Sequence, residues 1–175
     1  MVAHAKKNKY GNQGVSLMGI RGNMWIQDSQ ENHVTDDSMI AGRQGSIEVL
    51  SMNHKITNPI DMKTGKLTGN RTHSPVTMLK KIDMSTPFLT KACCSGECLK
   101  EITISLYHIN EHGREAEYFR YIMTNARIAG IQPIIGGTES NCSEDKEELA
   151  IIYEKMQWHH IEGNYAYSDS WNERS

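Results

Sequence analysis

"EITISLYHI", residues 101–109, alternates apolar and polar side chains with a period of two. Ile102, Ile104 and Leu106 fall on one side and Thr103, Ser105 and Tyr107 on the other, which is the pattern of a strand with one buried face. Working outward, the same period recurs. "SIEVLSMNHKI" (46–56) turns Ile47 and Val49 one way and Glu48 and Leu50 the other, and "PVTMLKKI" (75–82) is a further candidate strand. "EAEYFRYIMTNARIAGI" (115–131) and "ELAIIYEKMQWHHI" (148–161) continue the pattern, after a turn at Asn110 to Arg114 and an acidic connection "GGTESNCSEDKEE" (136–148). With "MWIQ" (24–27) as a first strand, the sum is an all-β-dominated chain, a small antiparallel barrel or sandwich.

One segment breaks the period. In "DMSTPFLTKACCSGE" (83–97), Ser85 is placed as an N-cap, Pro87 sits in the first turn and Gly96 supplies a left-handed stop. That predicts one short flanking helix of about ten residues. At about 100° per residue, Phe88, Leu89, Ala92 and Cys93 share its packed stripe, and Cys94 falls on the polar flank.

A second segment is too polar for a core. "TNPIDMKTGKLTGNRTHSP" (57–75) carries turn signals at Asn58-Pro59, Thr64-Gly65 and Thr68-Gly69, so it reads as a long hairpin arm that projects, Thr57 to Ser74. Residues 1–23, rich in Lys, Asn and Gly, read as a flexible extension; residues 24–175 read as a single domain.

Composition narrows the function. A chain of 175 residues with net charge −2 and no sustained apolar run is read as one soluble domain, with no nucleic-acid partner and no membrane insertion. The positive N-terminus lacks the apolar centre of a secretory signal, so cytoplasmic synthesis and reduced thiols are expected.

Candidate sites are weak. Cys93, Cys94 and Cys98 have C-x3-C spacing across a helix end, with Cys142 as the remaining thiol, so Cys93 reads as a small core residue; a redox or zinc role for Cys94 and Cys98 is the alternative. His159 and His160 point to opposite faces of a strand, and His108 and His112 sit around a turn. Asp36, Asp37 and the run Glu144 to Glu148 lie in polar connections where charges are ordinarily solvated. No nucleophile motif, phosphate loop or dinucleotide fingerprint is present. No catalytic residue, cofactor or metal site is therefore assigned.

Three longer stretches carry a resemblance. "GSIEVLSMNHKITNPIDMKTGKLTGNRTHSP" (45–75), "KKIDMSTPFLTKACCSG" (80–96) and "YEKMQWHHIEGNYAYSDSWNERS" (153–175) are similar to the haemolysin co-regulated protein (Hcp) family of bacterial type VI secretion systems. The most specific pieces are the arm, the helix start at Ile82 to Ala92 and the tail at Ser168 to Arg174.

The resemblance implies a small β-barrel with one flanking helix, assembled as homo-hexameric rings that stack into a hollow tube. It implies a sheath, baseplate and spike as partners, effector proteins carried in the lumen, and export from the bacterial cytoplasm when the machine fires. It asks for no catalysis and no thiols. By the same analogy the arm packs on a neighbouring subunit through Pro59, Asp61, Lys63, Gly65, Lys66, Gly69 and Arg71. The extension at residues 1–23 departs from the family pattern, and no fused toxin domain is expected after the tail. The rivals are a thiol-dependent metal or redox protein on the same barrel and a secreted binding protein acting by itself.

Overall fold

A computed structural model describes residues 22–36, 38, 41–136 and 145–172. In chain order the elements are β1 (Gly22–Gln27), β2 (His33–Val34), β3 (Ile47–Asn53), β4 (Ile56–Thr57), β5 (Thr72–His73), β6 (Val76–Lys81), α1 (Thr86–Ser95), β7 (Leu99–Ile109), β8 (Glu115–Ile134), β9 (Lys146–Ile152), β10 (Lys155–His160) and β11 (Tyr165–Ser170).

Six antiparallel strands close on themselves in the order β7–β1–β3–β6–β9–β8 and back to β7. The barrel foreseen from the alternation is therefore present, with no sandwich. Closure rests on β8, which is 20 residues long. One edge of β8 runs along β7; its other edge pairs Phe119–Thr124 with β10 and then Arg127–Ile134 with β9. Asn125 lies between the two pairings at φ 51°, in the left-handed region that Asn tolerates better than most side chains. The β10–β11 hairpin thus extends the barrel wall beyond the point of closure, and β11 pairs only with β10 among the described strands.

Inward-facing Met24, Ile26, Ile47, Met78, Ile102, Ile104, Met123, Leu149 and Ile151 form the core. Burying each such side chain contributes about 1.5–3 kcal/mol. α1 packs against β8 and adds Leu89 and Ala92 to the core, while Phe88 and Cys93 pack beside them and Cys94 is exposed. The helix stripe is as the spacing predicts. Gly96 ends the helix at φ 65°, with the Glu97 N–H bonded to the Ala92 carbonyl at 3.0 Å.

Four expectations change. Gly22 and Asn23 belong to β1, and the buried Asn23 amide donates to the Ser46 hydroxyl at 2.8 Å, so the barrel begins two residues ahead of the boundary drawn at residue 24. Ser85 stands at the N-cap with helical dihedrals and its hydroxyl donates to Asp83 at 2.6 Å, so it does not cap α1. "ELAIIYEKMQWHHI" reverses at Tyr153-Glu154 into two strands, β9 and β10. Glu147 is not a solvated charge: it is fully buried in the inward register with Leu149 and Ile151, 2.7 Å from the equally buried Lys80 ammonium. Lys80 also donates to Asp83 at 2.8 Å, and Glu147 accepts from the Thr86 hydroxyl at 2.9 Å, which ties β6, β9 and the start of α1 together.

Candidate functional site: the projecting hairpin and its root

The chain between β3 and β6 folds back on itself as the polar composition predicts. β4 and β5 pair Ile56 with His73 and Thr57 with Thr72, and an isolated bridge joins Ile60 to Leu67. Between these, the Thr68 N–H donates to the Pro59 carbonyl at 2.9 Å. At the tip, the Asp61 N–H reaches the Lys66 carbonyl at 2.8 Å, and the Asp61 carboxylate accepts the Lys63 N–H and the Thr64 hydroxyl, each at 2.8 Å. Those two bonds favour the ionised form and hold the Asp61 carboxyl below its usual range. Gly65 turns the tip at φ 68°, where a side chain would be strained. Gly69 lies close to Pro59: a Cβ there would meet the Pro59 ring at 3.1 Å.

The hairpin leaves its apolar side chains uncovered. Ile56, Ile60, Met62 and Leu67 are all exposed, Met62 at 86% and Leu67 at 67%. Lys63 and Lys66 are exposed beside them.

The root is held differently. Arg71 grips Asp169 of β11 through two nitrogens, and His73 Nε2 lies 3.1 Å from the same carboxylate. His73 Nδ1 is 2.8 Å from the Tyr153 hydroxyl, which is 2.7 Å from His54 Nε2. Trp171 packs against His73 and Tyr153, with ring centroids 5.8 and 5.2 Å away, and Trp158 stacks on His54. Burial alone would raise the Asp169 carboxyl, but the Arg71 guanidinium, the Ser170 N–H and His73 together keep it below the carboxylate range. Burial pushes the Tyr153 hydroxyl well up, with the Asp169 charge adding to it. Burial, then the neighbouring His73, lowers His54.

Of the residues named from the sequence, Pro59, Asp61, Lys63, Gly65, Lys66 and Gly69 lie along the shaft and tip, and Arg71 lies at the root. Sequence reasoning did not find His54, His73, Tyr153, Asp169 and Trp171, which fasten the arm to the barrel; Asp169 and Trp171 lie within the tail motif that carries part of the resemblance. The other candidates stay apart. Cys98 lines a cleft of about 610 Å³ with Arg127, Glu154 and Trp171, and Cys142 lies outside the described residues. Among the described residues no three His, Cys, Asp or Glu converge as a metal site. His108 stacks on Tyr118 and lies 3.2 Å from Glu162, whereas His112 is exposed in the turn. No helix among the described residues is long and apolar enough to cross a membrane.

Residues 24–160 match the family described as "Type VI secretion system effector, Hcp". The chain belongs to the Hcp family. A "Major exported protein" of Pseudomonas aeruginosa is 28% identical over 137 residues, 74% of this chain and 77% of that protein. The solved structure of Hcp1 from Escherichia coli EAEC 042 is 34% identical and superimposes with a TM-score of 0.79, covering 87% of this chain and 99% of its own. A structure described as an Hcp protein reaches a TM-score of 0.81 at 20% identity, covering 89% and 99%, and so speaks for the fold alone. The membership agrees with the resemblance carried by the arm, the helix start and the tail of this Hcp chain.

Proposed function

We propose that this Hcp chain is the ring-forming subunit of a type VI secretion inner tube, and that its arm packs on a neighbouring copy. Supporting this reading is a hairpin pinned at its root by buried polar groups and bare of partners along its apolar side chains. A structure-free loop would not be clamped to the barrel, and a core element would not expose Met62 and Leu67. Fully burying one such side chain contributes about 1.5–3 kcal/mol. With part of each already covered, the four arm residues together supply roughly 4–8 kcal/mol on docking. That is comparable with the low end of the association cost of about 4–15 kcal/mol. The arm alone therefore makes a reversible contact, and a closed ring needs a second, heterologous surface.

In this reading the homo-hexameric rings stack into a tube that meets sheath, baseplate and spike proteins, is assembled in the cytoplasm and is exported on firing. Small effectors ride in the lumen, and the chain carries out no catalysis. The residues Pro59, Asp61, Gly65 and Gly69 shape the arm, and Lys63 and Lys66 supply its polar rim. Electron microscopy of the purified chain tests it directly, with hexameric rings with a central hole expected. Replacing Met62 and Leu67 together by Asp should abolish stacking while the circular dichroism spectrum stays unchanged. A strictly monomeric particle at high concentration sinks the assembly reading.

A further inference from the structure

The four side chains at the arm's root form one continuous relay, and its hydrogens can be assigned from chemistry. Asp169 is a carboxylate and can only accept, so His73 Nε2 carries a proton and donates to it across 3.1 Å. In the neutral state His73 Nδ1 then accepts the Tyr153 O–H across 2.8 Å, and the Tyr153 oxygen accepts from His54 Nε2–H across 2.7 Å. Each of these three contacts then has one donor and one acceptor. The groups come from four places in the chain: His54 from the segment after β3, Arg71 and His73 from the returning side of the arm, Tyr153 from the β9–β10 turn and Asp169 from β11. Among the described residues, Arg71 is the charged side chain that hydrogen-bonds to the relay from outside it, through Asp169.

We propose that this relay is an acid-released clasp, which locks the arm to the C-terminal strand at neutral pH and frees it when both histidines are protonated. A first proton from water enters at the half-buried His54 ring. His54 passes its Nε2 proton to the Tyr153 oxygen, and the Tyr153 proton passes to His73 Nδ1. The relay then runs in reverse with every bond kept. A second proton, on His54 Nε2, has no such arrangement. Both imidazoles then donate toward the Tyr153 oxygen and its own O–H has lost its acceptor. Two cations then stand with ring centroids 6.1 Å apart and repel one another. The lowered affinity of His54 for protons agrees with this order. The sign follows: a histidine depressed in the folded state stabilises the clasp at pH values above its unfolded pKa of about 6.5, and that stability is lost as pH falls below it.

The consequence for tube assembly rests on the reading of the arm as an inter-subunit contact; the clasp itself does not. Hydrogen exchange of the full-length chain tests it, read at the Thr68 and Ser74 amides, which donate to the Pro59 and Lys55 carbonyls. After correction for intrinsic rates, protection is expected to fall at least tenfold between pH 7 and pH 5 while β7 stays protected. His54→Gln, which keeps a donor toward Tyr153 and cannot titrate, should flatten that response. Protection independent of pH in the unaltered chain, or a full response in His54→Gln, overturns the clasp. Should that variant fail to fold, ring-proton NMR of the unaltered chain decides: titration of His54 must coincide with the loss of Ser74 protection, and midpoints apart overturn it. A pH-dependent arm in a chain whose Met62 and Leu67 replacements still stack refutes the docking reading and leaves the clasp standing.

Discussion

Asp169→Asn removes the charge that both Arg71 and His73 face while keeping the side-chain volume. Asp169 is 6% exposed, His73 is fully buried and Arg71 is 19% exposed. Removing one partner of a buried ion pair costs about 3–5 kcal/mol. The Arg71 guanidinium can still reach water, so the lower end applies, about 3 kcal/mol. For a chain of this size that lowers the melting midpoint by about 6–12 °C. Urea unfolding at pH 7 and fixed protein concentration, followed by the fluorescence of Trp158 and Trp171, reads the loss, and the slope with denaturant should not change. The pH dependence has a definite sign. The Asp169 pKa is depressed by folding, so its own titration takes nothing away above the unfolded carboxyl value of about 3.9 and weakens the root as pH falls through the folded value. The gap between variant and unaltered chain must therefore narrow as pH falls, first where the clasp opens and again below pH about 4. A loss under about 1 kcal/mol at pH 7, the range of an exposed pair, or a gap undiminished at pH 3, refutes the claim that this carboxylate holds the root.

Three further outcomes are expected. Lys80→Met alone leaves Glu147 charged and buried and should cost about 3–5 kcal/mol, while Lys80→Met with Glu147→Gln recovers most of it; a double-mutant cycle from urea melts measures the coupling. Leu89→Ala opens a cavity between α1 and β8 and should cost about 2–5 kcal/mol by the same assay. Deleting Asp61 to Thr68 should leave the circular dichroism spectrum of the barrel intact and remove ring stacking in electron micrographs, since those residues contribute nothing to the core.

Much of this architecture is legible in alternation. Ile102 and Ile104, Ile47 and Val49, and the helix stripe of Leu89 and Ala92 all face the core as their spacing requires. β11 was not legible, because Tyr165 to Ser168 are exposed on both faces of the strand, and a strand without a buried face has no period to read. Glu147 was hidden by its acidic neighbours, although its register with Leu149 and Ile151 marks it as inward. The arm was visible through its turns; its root was not. His54, Tyr153 and Asp169 are brought together by pairings separated by about a hundred residues of chain, and local spacing carries no record of such contacts.

Mechanically, β8 is a spar shared by the closed barrel and the β10–β11 hairpin. A pull on the hairpin enters at Asp169, crosses from β11 to β10 and β8 through successive ladders, and divides between β7 and β9. Traction along β8 strains these ladders in shear, so many bonds of about 0.5–1.5 kcal/mol net must yield together. Traction across the outer edge of β11 unzips them singly. Under sideways force the β10–β11 flap gives way first and the closed barrel last, which makes the barrel the stiff part of the molecule.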